Sequence, residues 1–196
     1  GLGDVYKRQK LDCEIFLPGH GFPILGKKRI KKALETTSKF LRSIEDQTLK
    51  LMNQGKSLNQ VLHEVEIPND LMELPWLTPI YDDPQFLIRM IWRRYGGWWD
   101  GEYDRLLPAP RKEEALAWVD LSNGIDNIIL KALEHLDKGN LKVAAQLIET
   151  AFHADNNNDQ MHDARAKIYR EFSLKQSSSM GRNILNHASM ASIQGK

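Results

Sequence analysis

A histidine between two glycines, His20 in Leu17-Pro18-Gly19-His20-Gly21-Phe22-Pro23, is the only motif in the sequence with a mechanism attached. A neutral imidazole can bind a metal ion, and the flanking glycines let backbone and ion approach closely. The same side chain could simply cap a loop. One histidine is not a site, because zinc takes at least three protein ligands. The remaining histidines, His63, His135, His153, His162 and His187, fall on predicted helices with no carboxylate or cysteine at ligand spacing. Surface positions are expected for all five. Cys13, the single cysteine, excludes an intrachain disulfide and reads as a small buried hydrophobe with nothing to mark it as a nucleophile.

A second stretch could do recognition chemistry. Three of the five tryptophans fall between Trp92 and Trp99, inside the run that begins at Phe86 and ends at Leu107. Phe86, Leu87, Ile88, Ile91, Trp92 and Tyr95 form an apolar helical stripe that Pro84 can open and Gly96-Gly97 can stop. The plain reading is a core helix followed by an aromatic-packed turn at Asp100-Gly101. The sharper one is that Arg94, Tyr95, Gly97, Trp98, Asp100 and Gly101 wall a substrate pocket or a subunit interface, since Trp, Tyr and Arg dominate such surfaces. Arg93 and Arg94 could clamp an anion, or pair with Asp100, Glu102 or Asp104 and hold the loop.

These residues need elements to carry them. The apolar run from Cys13 to Leu17 predicts a buried strand that delivers the chain to the Pro18-Gly19 turn and so presents His20. After Gly26, a stripe of Ile30, Leu34, Thr37, Leu41, Ile44, Thr48 and Leu51 predicts a long helix of about 26 residues, roughly 39 Å, ending at Gly55. Such a stripe serves packing within the chain or pairing across a dimer. Ser57 with Gln60 predicts a capping box, and Pro68-Asn69-Asp70 the start of a further short helix. Pro75, Pro79 and Pro84 predict an irregular stretch. Beyond Pro108 and Pro110 come helices over about 112–121 and 125–137. Gly139, Ala144, Ala151 and Asp155 then match the small-residue and boundary positions of a tetratricopeptide-like hairpin, which cannot bury its apolar face alone. A last helix is expected around 180–190 in a serine-rich tail, 176–196, that is mobile at its end.

Composition narrows the function. A net charge of +1 over 27 basic and 26 acidic residues gives no electrostatic case for nucleic acid. No apolar run approaches the roughly 20 residues needed to span a bilayer. There is no initiator Met, and Asp4-Val5-Tyr6-Lys7-Arg8-Gln9 resembles a translated sequencing adapter. Residues 1–9 are therefore set aside from fold reasoning, and truncation upstream of about Lys10 is expected.

The hydrophobic-x-Pro-Gly-His-Gly pattern around His20 resembles the last metal-ligand motif of the metallo-β-lactamase superfamily. Arg94-Tyr95-x-Gly97-Trp98-x-Asp100-Gly101, with the long helix before it and the helical region after it, resembles the dimerisation domain of the alkyl sulfatase branch. The resemblance implies a mainly α chain, with residues 10–26 as the end of an αββα catalytic sandwich that leaves one β-strand here, 27–175 as an all-helical dimerisation domain and 176–196 as a tail. It implies a homodimer, zinc (one or two ions) with His20 as one ligand, and hydrolysis of a small ester or sulfate ester by metal-activated water.

The sequence departs from that pattern in several places. The family's Ser-His-Asn triplet, about twelve residues before its Gly-Trp pair, is matched here by Gln85-Phe86-Leu87, and a phenyl ring can neither transfer a proton nor donate to a sulfate oxygen. Gly21-Phe22 stands where the histidine motif continues with Trp. The usual His-x-His-x-Asp-His cluster is absent from these 196 residues, as is the sterol-carrier-like domain expected after the helices, so the fragment alone is expected to be inactive. The alternative from a different class is a stand-alone helical dimerisation or interaction module in which His20 is a loop residue.

Overall fold

A computed structural model describes residues 12–19 and 22–195. His20, Gly21 and the adapter-like stretch 1–9 lie outside the described residues. The described chain opens with a hairpin in which β1 (Ile15–Phe16) pairs antiparallel with β2 (Ile24–Leu25), Ile15 opposite Leu25 and Phe16 opposite Ile24. Gly26 N extends the ladder by donating to the Glu14 carbonyl at 2.8 Å. The expected strand is therefore present, with a partner that the sequence did not announce, because two apolar residues after Pro23 are too few to show an alternation. It is not buried: Ile15 is 60% exposed. An apolar run marks burial only when a second layer covers it, and no further strand stands beside this hairpin among the described residues.

Nine α-helices follow among the described residues: α1 (Lys27–Asn53), α2 (Leu58–Glu64), α3 (Asn69–Met72), α4 (Pro84–Gly96), α5 (Arg111–Leu121), α6 (Ile125–Asp137), α7 (Leu141–Ala154), α8 (Asp159–Leu174) and α9 (Ser179–Gln194). They divide into two compact units. One holds the described residues up to Pro79 with Pro84–Tyr103, and the other holds Ile80–Asp83 with the chain from Asp104 onward.

In the first unit, α1 runs 27 residues and buries Ile30, Ala33, Leu34, Ser38, Phe40, Ile44 and Thr48. The predicted stripe is wider than its heptad because α2 and α4 both pack on this helix. Its apolar face is used within the chain. Phe40 and Ile44 meet Val61 and Leu62 of α2, Leu71 of α3, Leu77, and Ile88 and Trp92 of α4 in one core. Helix α2 starts with the capping box read from sequence: Ser57 Oγ accepts from Gln60 N, and Gln60 Oε1 accepts from Ser57 N at 2.9 Å.

In the second unit, alanines set the spacing. Ala132 on α6 with Ala144 and Ala151 on α7 have no exposed surface, and they let the helices close on Ile148, Met161 and Ile168. Gly139, at φ +75°, makes the turn between α6 and α7 that a β-carbon would penalise. The serine-rich tail forms α9, a sixteen-residue helix longer than expected, whose N-cap Ser178 accepts from Gly181 N at 3.1 Å.

Candidate functional site

The Trp-rich segment folds as a core helix followed by an aromatic-packed turn. Helix α4 buries Ile88 and Trp92 in the first unit's core. That choice turns Arg93 and Arg94 to the surface, since they follow at positions that a helix rotates away from its buried stripe. The Tyr95 hydroxyl is held by Glu45 on α1, at 3.0 Å, and the Arg94 guanidinium lies 5.5 Å from the Tyr95 ring centroid. Tyr95, expected in the apolar stripe, is instead half exposed, because its hydroxyl finds a carboxylate partner at the rim.

After α4 the loop is tied back by its own backbone. Gly97 and Gly101 take φ of +83° and +84°. Between them, the Trp99 carbonyl accepts from the indole N–H of the buried Trp92 at 2.8 Å, and the Asp100 carbonyl accepts from Leu58 N at 2.7 Å. Asp100 Oδ1 accepts from Glu102 N at 3.0 Å, an Asx turn. Gly101 approaches α2 so closely that a β-carbon there would lie 3.0 Å from Ser57 Cα. No ion pair joins Arg93 or Arg94 to Asp100 or Glu102 among the described residues, so hydrogen bonds from the core and from α2 hold the loop where a salt bridge was one expectation.

The consequence is a rigid loop that projects aromatic surface. Trp98 is 80% exposed and Tyr103 84%, with Trp99 and Tyr103 packed at 5.8 Å between centroids. The exposed Trp98 indole and Tyr103 phenol offer apolar faces to whatever meets the loop. The positions matching the family's Ser-His-Asn triplet sit on the first turn of α4: Gln85 donates to the Leu62 carbonyl at 3.3 Å, and Leu87 packs against the core.

Of the residues read from sequence, Arg94, Tyr95, Gly97, Trp98, Asp100 and Gly101 are thus brought together on one helix end and one loop. No group of three or more His, Cys, Asp or Glu that could hold a metal occurs among the described residues. One reading needs correction, and one residue was missed. His162 is not at the surface: it is 4% exposed, with Nε2 2.8 Å from the Asn156 carbonyl. The turn Asn156-Asn157-Asn158, just before its helix, folds over it, and Phe152 of α7 packs on its ring, a contact that helix periodicity does not reveal. The buried Arg165, which pairs with Glu149 at 2.6 Å and lies 4.5 Å from the Phe152 ring centroid, was missed altogether. A charged residue inside an apolar pattern was its one sequence signal.

The comparisons with known proteins agree on one family. A linear primary-alkylsulfatase of Pseudomonas sp. (strain ATCC 19151) is 28% identical over 84% of this chain and 31% of its own length. An alkyl/aryl-sulfatase of Saccharomyces cerevisiae is 26% identical over 93% of this chain and 28% of its own. The chain thus spans under a third of the length of the curated relatives it matches. The solved stereoselective inverting sec-alkylsulfatase Pisa1 from Pseudomonas sp. superposes over 99% of this chain with a TM-score of 0.89 at 22% identity, which shows a shared fold. The family model described as alkyl sulfatase dimerisation matches residues 57–195, most of the chain and all of α2 to α9, and the protein belongs to that family.

Proposed function

We propose that this chain is the subunit-pairing portion of a metal-dependent hydrolase acting on small ester or sulfate-ester substrates. The observation that carries the reading is the dimerisation-family match over 57–195 together with relatives that are themselves named alkylsulfatases. The whole protein works as a homodimer. Arg94, Tyr95, Gly97, Trp98, Asp100 and Gly101 form part of the wall facing substrate or the second subunit. The support for that role is the projection of Trp98 from a loop that the core holds still.

His20 is proposed as one ligand to zinc, one or two ions. The described residues do not themselves supply a metal site, so the other ligands belong to sequence outside these residues. Metal analysis of the full-length protein tests the assignment. Near-stoichiometric zinc that falls in a His20→Ala variant is the expected result, and unchanged metal content removes His20 from the ligand set. Sequencing the native gene upstream of Lys10 is the companion experiment: a His-x-His-x-Asp-His cluster there supports the hydrolase, and a reading frame that begins near Lys10 supports the stand-alone helical module.

A further inference from the structure

Helix α9 is fastened to its unit mainly through polar contacts. Gly181, Ser189 and Ser192 are its buried residues, and none of its side chains joins the apolar core built by α5 to α8. Of its large apolar residues, Ile184, Met190 and Ile193 are exposed, while Met180 and Leu185 are half-buried. A docked helix ordinarily buries its apolar stripe fully; here three of the five large apolar side chains face outward and serines occupy the buried face.

The fastening has two ends. Arg165 on α8, 9% exposed, donates from Nη1 to the Ala188 carbonyl and to Ser192 Oγ, both at 2.8 Å, while Ser189 Oγ donates to the Ala166 carbonyl at 2.8 Å. At the other end Ser178 Oγ donates to the Tyr81 carbonyl at 2.6 Å, and Ser179 N donates to the Ile80 carbonyl at 2.6 Å. Water can replace each of these bonds when the helix leaves, and the fully buried residues that undocking uncovers on α9 are Gly181, Ser189 and Ser192, with no large apolar side chain among them. Hydrogen bonds are also short-ranged and directional, so the set is lost together over a small displacement. Glu149 at 2.6 Å from Arg165 Nε, with the Phe152 and Tyr169 rings at 4.5 and 5.0 Å, holds the guanidinium in place independently of α9.

We propose that α9 is a releasable strap that undocks as a unit while α5 to α8 stay packed, with Arg165 and Ser178 as its two fasteners. On leaving, it frees the Ile80–Asp83 segment whose carbonyls it holds. That segment runs directly into Pro84, the first residue of α4.

Hydrogen–deuterium exchange of the 196-residue chain, read by mass spectrometry, tests this. Amides of α9 are expected to exchange about 100-fold faster than those of α6 and α7, because local opening needs less free energy than global unfolding. Arg165→Met should raise α9 exchange by a further factor of about ten while changing α6 and α7 by less than about threefold. Ser178→Ala should raise exchange both in α9 and at 80–83. A single common rate for α7, α8 and α9, shifting together in the variants, overturns the strap. If Arg165→Met does not fold, Ser192→Ala removes only one acceptor and must still give a rise confined to α9; a rise shared equally by α6 to α9 refutes the proposal.

Discussion

Gly101 shows how little freedom the aromatic loop has. Its φ of +84° lies where a β-carbon is penalised, and the atom it would meet is Ser57 backbone, which cannot rotate away. Gly101→Ala should therefore destabilise the first unit by about 1–3 kcal/mol, the range for left-handed strain plus a backbone clash. Denaturant melts followed by tryptophan fluorescence would show it; an unchanged midpoint would mean that the loop is not held against α2. Tyr169 carries a different kind of constraint. Burial holds its phenol well above the ordinary value of 10.0, the Glu149 carboxylate adds to the rise, and Arg165 offsets part of it. With the folded-state value raised above the unfolded one, the contribution to stability is complete below pH 10 and is lost as pH climbs through the folded value. Tyr169→Phe has no proton to lose, so its stability should fall less steeply than the parent's above pH 10. An equally steep fall would assign the alkaline sensitivity to another group.

Among the elements, α2 is the shortest with a complete cap, and its seven residues cannot hold a helix by propensity alone. Ser57→Ala removes the acceptor for Gln60 N and should cost about 1 kcal/mol. The loss would also reach the aromatic loop, because Leu58 N is the donor that holds the Asp100 carbonyl. Thermal melts of the variant against the parent measure the first effect, and the fluorescence of Trp98 and Trp99 reports the second. A drop in melting temperature without any spectral change would show that α2 and the loop are held separately. Helix α4 works on the same logic at larger size: one buried indole, Trp92, is both a core side chain and the donor that folds the following loop back onto its own helix.

On the scale of the whole molecule, the family match makes a statement about association. The chain should sediment or scatter as a dimer, with twice the 22.5 kDa monomer mass, because the matched region spans all of α2 to α9. Multi-angle light scattering at micromolar concentration is the measurement, and a clean monomer would argue against the dimer. The helix α1 stripe, read from sequence as a second candidate for that surface, is occupied inside the chain by α2 and α4.

The sequence by itself determined what depends on neighbours along the chain. Periodicity placed the long α1 within a residue or two, Ser57 and Gln60 announced a cap, prolines marked the irregular stretch before α4, and the glycines after Tyr95 marked its end. The Tyr-x-Gly-Trp-x-Asp-Gly spacing was legible for the same reason, since a loop closed by left-handed glycines is a local object. Tertiary structure decided everything that depends on what lies across the core. It turned Trp92 inward and Trp98 outward, although both are tryptophans in one short run. It paired Arg165 with Glu149 sixteen positions away, packed His162 against the Phe152 ring of α7, and docked α9 by its serines, leaving its isoleucines outside. Burial is set by which surfaces meet, and a residue's own type fixes only what it costs to put it there.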